Sequence, residues 1–74
     1  MKNVFDKVNG KKKKGRFHTL FGAFRSMRRI GWFGMRWVLK DGKRPCPSLS
    51  WDDGRFAFWK KKTDKEPFAF IEQI

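Results

Sequence analysis

The sequence predicts an α+β fold: one amphipathic helix packed on a three- to four-stranded antiparallel meander, preceded by a disordered basic N-terminal arm. Three observations predict it. Apolar residues recur at three-and-four spacing over residues 20–30. The spacing switches to period two from Trp32 onward, and Asp/Gly-rich turns separate the extended runs. At 74 residues the chain is expected to be a single domain, with residues 1–16 as a flexible arm and 17–74 as the folded body.

The arm rests on the stretch Asn9-Gly10-Lys11-Lys12-Lys13-Lys14-Gly15. It has no apolar period, and adjacent like charges repel one another and stay solvated. Val4, Phe5 and Val8 offer it one short helical turn with which to dock on the body. In the helix, Leu20, Ala23, Phe24, Met27 and Ile30 form the stripe to be buried. Thr19 is placed to cap its first turn, and Gly31 to end it as the residue after the last turn. At about 100° per residue, His18, Gly22, Arg25 and Arg29 fall on the opposite side. Gly22 would let another backbone approach that cationic face.

The first strand is expected over Trp32–Lys40, with Phe33, Met35, Trp37 and Leu39 facing the helix and Trp32, Arg36, Val38 and Lys40 facing away. Asp41-Gly42 is a hairpin signal. The return is poor, because Pro45 and Pro47 have no N–H to give to a ladder; it must be an edge, or begin only near Ser48–Trp51. Asp52-Asp53-Gly54 marks a second turn, Arg55–Lys62 a second good strand, Thr63–Pro67 a third turn and Phe68–Ile74 the last strand. Phe56 and Phe58 join the helix-facing set, while Trp59 and Lys61 join the other.

Charge is distributed as unevenly as the apolar residues. Residues 1–36 carry eleven Lys/Arg against one acid, Asp6, whereas residues 37–74 carry eight against six. Residues 7–40 contain no Asp or Glu. A field this one-sided concerns partners rather than fold, and nucleic acid is the commonest anionic one. Four Trp and nine Phe make 18% of the chain aromatic. That is generous for so small a core, so part of it is expected at a working surface.

Enzyme classes find little support. The acids lie mostly at turns or ends, and no spacing gives His18 an orienting carboxylate or a nucleophile. Cys46 is the only cysteine, so no disulfide closes within the chain and its thiol lacks a histidine signature. One His and one Cys do not make a zinc site, and neither a metal nor another cofactor is expected. Residues 1–6 lack the apolar segment of a secretory leader, and no apolar run reaches the roughly 18 residues of a membrane span. A reduced cytoplasmic or nucleoid-associated location is expected.

The expected function is nucleic-acid binding, DNA or RNA, through backbone phosphates with low or shape-based specificity. The contacting set is Lys11, Lys12, Lys13, Lys14, Arg16, His18, Arg25, Arg29 and Arg36. Trp32, Trp59 and Lys61 form a candidate stacking surface or interface, through which two chains could pair as a homodimer. The alternative is a small protein-binding inhibitor or adaptor, of the kind found in phages and mobile elements, docking its basic-aromatic surface on an acidic face of a larger enzyme. A ribonucleoprotein subunit whose arm orders on assembly is a third possibility.

Overall fold

A computed structural model describes residues 4–41 and 44–74. Five strands and one helix follow in the order β1 (Phe5–Asn9), β2 (Lys12–Phe17), α1 (Leu20–Ile30), β3 (Gly34–Leu39), β4 (Gly54–Trp59) and β5 (Ala69–Gln73). The strands form one antiparallel sheet in the order β2-β1-β5-β4-β3. The α+β class and the single helix agree with expectation. The sheet has five strands rather than three or four.

The additional strands come from the segment expected to be an arm. Residues 5–17 are a β-hairpin, and its first strand lies inside the sheet, between β2 and β5. Phe5, Asp6 and Lys7 are buried. The turn is Gly10-Lys11, with Asn9 opposite Lys12. Gly10 has φ 60°, whereas among the described residues no non-glycine residue has positive φ. A two-residue loop with positive φ at its first position alone suits the right-handed twist of the strands it joins. The lysine run therefore occupies an edge strand, where charged side chains also discourage pairing with another chain.

α1 spans the residues that the spacing predicts. The Thr19 hydroxyl accepts a hydrogen bond from the Gly22 N–H at 3.0 Å. Gly31, at φ 84°, donates its N–H to the Met27 carbonyl at 3.0 Å and ends the helix. Lys60 Nζ donates to the freed carbonyls of Ile30 (3.0 Å) and Gly31 (3.4 Å), where a cation also opposes the negative end of the helix dipole. The helix leaves the β2 edge and feeds the β3 edge, so it crosses one whole face of the sheet.

Beneath it, Ala23 and Met27 pack with Phe5, Phe58, Ala69 and Ile71. Around this centre a chain of edge-to-face aromatic contacts runs Phe5–Trp51–Trp37–Phe56–Phe24–Phe58–Trp32, with ring centroids 4.9–5.9 Å apart. The arrangement matches the ring quadrupoles, each pair contributing about 0.5–1.5 kcal/mol beyond its burial. Trp51, from the loop after the β3 return, fills the area over Trp37 that the helix leaves uncovered. The Trp37 indole N–H donates to the Ser48 carbonyl at 2.6 Å, which fixes the loop.

Other expectations meet local differences. Phe33 precedes the strand and is 61% exposed rather than covered by the helix, and Met35 at the β3 edge is partly exposed too. Trp32 likewise precedes the strand, so strand parity does not bind it, and it turns to the core against Phe58. Gly22 does not open the cationic face: a Cβ there would lie 3.2 Å from Thr19 Oγ1 and 3.7 Å from the Phe17 ring, so the position backs onto the helix cap and β2. The poor return strand is as expected: Val38 and Pro45 form an isolated bridge on the outside of β3. Gly42 of the predicted turn lies outside the described residues, as do Lys43 and residues 1–3.

Gly54 shows how close the packing is. A Cβ there would lie 2.6 Å from Trp37 Cζ2 and 2.7 Å from Cε2, whereas one at Gly34 meets nothing within 4 Å. Gly54→Ala is expected to destabilise the fold by about 1–3 kcal/mol, the usual cost of overpacking. Gly34→Ala is expected to be neutral or slightly stabilising, and urea denaturation of the two variants checks the contrast.

Candidate nucleic-acid interface

The face of the sheet away from α1 carries an alternation of charge set by register. Asp6 and Glu72 are direct cross-strand partners on β1 and β5. Two carboxylates side by side repel, and each is matched from its outer side. Lys13 Nζ lies 3.0 Å from Asp6 Oδ2, and Arg16 Nε donates to Asp6 Oδ1 at 3.3 Å. Arg55 Nη1 donates to Glu72 Oε1 at 2.9 Å, while its guanidinium carbon lies 3.6 Å above the Phe70 ring centroid.

Residues 13 and 16 would point to opposite faces of a regular strand. They share one because β2 bulges at Lys14: Val8 pairs with Lys13, and Lys7 with Gly15. One extra residue shifts the parity of everything beyond it. The bulge thus brings two cations to a carboxylate only 1% exposed. Of the expected phosphate contacts, Lys13 and Arg16 are held in these intramolecular ion pairs.

On the other face, Lys7 points from β1 toward the helix. It is 8% exposed and donates from Nζ to Ser26 Oγ at 2.7 Å. Burial, and then the charge of Lys14, push its pKa below the ordinary 10.5. Arg25, Arg28 and Arg29 are exposed along α1. Among the described residues none of the three has an acidic partner. His18 is exposed in the bend before α1, and Lys11, Lys12 and Lys14 are exposed on the hairpin. By register, Lys12 lies on the helix side of β2, opposite Asn9.

No acid interrupts this side. Asp6 and Glu72 face the opposite way, and Asp41, Asp52, Asp53, Asp64 and Glu66 lie in the loops at the strand ends. Phe21, 73% exposed, stands beside Arg25 and Arg28 on the outer helix surface. Phe21 is outside the expected contacting set, and Arg28, expected at the edge of the apolar stripe with its stem against the core, is exposed beside it. The available signal was that Phe21 lies off the stripe 20-23-24-27-30, so a large apolar group there must face solvent.

Arg36 is separate from this layer. It lies on the far side of the sheet, in a groove at the β3 edge that also contains Trp59 and Lys61. Of the candidate stacking set, Trp59 and Lys61 therefore come together and Trp32 does not. Lys62, which the sequence did not single out, lines the same groove. Among the described residues no group of three or more His, Cys, Asp or Glu could hold a metal, and no helix is long and apolar enough to cross a membrane. The chain matches no protein-family model, no curated protein and no solved structure.

Two measurements test this charge arrangement. Lys13→Ala/Arg16→Ala leaves a buried carboxylate without cations and is expected to destabilise by about 3 kcal/mol. Asp6→Asn releases two solvated cations and leaves no buried charge, so it is expected to cost less, about 1–2 kcal/mol; denaturant titrations give the order. For Lys7, a lowered folded pKa means that the unfolded chain binds more protons in the window just below 10.5. Its contribution to stability therefore rises with pH through that window. Lys7→Met is expected to remove this rise in a comparison of pH–stability curves.

Proposed function

We propose that this protein binds nucleic acid through the layer formed by α1 and the helix side of the β1–β2 hairpin. The observation that carries the proposal is the sorting of charge: among the described residues Arg25, Arg28 and Arg29 have no acidic partner, and every acid faces away or sits in a loop. A surface folded only for solubility would mix signs. Arginine forks suit phosphate oxygens, and Lys11, Lys12 and Lys14 extend the cationic track along the hairpin. Affinity would come from neutralised phosphates and released counterions, with little reading of base edges.

A second function, docking on an acidic protein surface, draws on one observation: exposed Phe21 flanked by Arg25 and Arg28. Aromatic and arginine side chains are the usual anchors of protein interfaces. This basic-aromatic patch is what a small inhibitor or adaptor would present.

Salt dependence separates the two. Six cations on duplex phosphates (Lys11, Lys12, Lys14, Arg25, Arg28 and Arg29) predict a slope of about −5 in log affinity against log salt. Arg25→Ala/Arg28→Ala/Arg29→Ala is expected to lower the slope to about −3. Fluorescence anisotropy with a labelled duplex reads both. A slope near zero, or no binding at low salt, contradicts nucleic-acid binding. A stoichiometric protein complex that survives nuclease favours docking.

A further inference from the structure

The groove at the β3 edge has the composition of a site for an unpaired base. It has a volume of about 350 Å³, and Phe33, Arg36, Trp59, Lys61 and Lys62 line it. This lies in the lower part of the roughly 300–1,000 Å³ range of small-molecule sites. Trp32, Trp37 and Trp51 each meet another ring edge-on. Among the described residues Trp59 has no ring or cation–π partner, although it is half-buried and next to three cations. Phe70, its aromatic neighbour on that side of the sheet, is already covered by Arg55. Trp59 is thus left available in this groove, as is the exposed ring of Phe33.

The charges at the groove complement a phosphodiester chain. Arg36, Lys61 and Lys62 are exposed at its margin. The one acid there, Asp64, accepts the Lys61 backbone N–H at 3.1 Å and so helps to shape the turn. Gly34 adds no side chain to the wall, and a Cβ at that position would meet nothing within 4 Å. The groove opens where α1 feeds β3, so only Ile30–Trp32 separate Arg29 from Phe33. Few residues of chain, each spanning at most about 3.6 Å, divide the helix layer from the groove. One strand could cross from one to the other.

From this geometry we infer that the groove receives an unpaired nucleotide of a single strand, its base stacked on Trp59 and its flanking phosphates on Arg36 and Lys61. The inference rests on nucleic-acid binding by the helix layer and adds a strand preference to it. A duplex would keep its bases stacked inside the helix and could use only the cations.

The test compares three labelled probes of equal length by anisotropy: an oligothymidylate, an abasic single strand and a duplex. Wild type is expected to bind the oligothymidylate roughly tenfold tighter than the abasic strand, the scale of one base–aromatic stack. Trp59→Ala is expected to abolish that preference while duplex affinity is unchanged, and Trp59→Phe to keep most of it. Equal affinity of wild type for the thymidylate and abasic strands overturns the inference, whatever the variants do. If the duplex binds with its steep salt slope under that condition, the helix-layer proposal stands alone. If no probe binds at low salt, both fail.

Discussion

The buried carboxylate of Asp6 on β1 is the constraint on which the sorting of charge depends. β1 is paired on both sides, so its side chains must be accommodated within the sheet. A charge removed from water needs compensation there. Lys13 and Arg16 supply it, and the bulge at Lys14 is what lets both reach the same face. Glu72, drawn beside Asp6 by the register, is matched in turn by Arg55. One face of the sheet is thereby close to internally neutralised across β2, β1, β5 and β4, and among the described residues the cations without acid partners are left on the helix, on the hairpin at Lys11, Lys12 and Lys14, and at the β3 edge.

The helix side follows a different logic. Its residues are chosen for volume and ring geometry: Phe5, Phe24, Phe56, Phe58, Trp32, Trp37 and Trp51 form a connected aromatic layer with Met27 and Ile71 at its centre. In a domain of this size large rings bury much area per residue. Most of the aromatic surplus noted in the composition is used here. Phe70 lies on the other face beneath Arg55, and Phe21, Phe33 and Trp59 are the rings that accompany arginine or lysine at the two candidate surfaces.

The helix and its caps were legible because Thr19, the apolar stripe and Gly31 all point to the same boundaries. Strands β3, β4 and β5 were legible within a few residues from their alternation. The hairpin β1–β2 was not, because its buried positions include Asp6 and Lys7, which look solvated in sequence and are satisfied only by partners from elsewhere. Gly10, at the first position of the two-residue turn, was the hairpin signal present, hidden by the lysines that follow it. At the site, parity predicted that Arg36 and Trp59 share a face, and they line one groove. Parity failed for Trp32 because it lies before the strand, and for Lys13 and Arg16 because a bulge intervenes.

The sorting of charge requires residues 5–17 to be sheet. Amide hydrogen exchange followed residue by residue tests this most directly, since protection reports the free energy of opening each hydrogen bond. The hydrogen-bonded amides of β1, Phe5 to Asn9, are expected to exchange as slowly as those of β5 and β4 in the absence of any ligand. Exchange of this whole segment at the rate of an unstructured chain, with β3 to β5 protected, would contradict it.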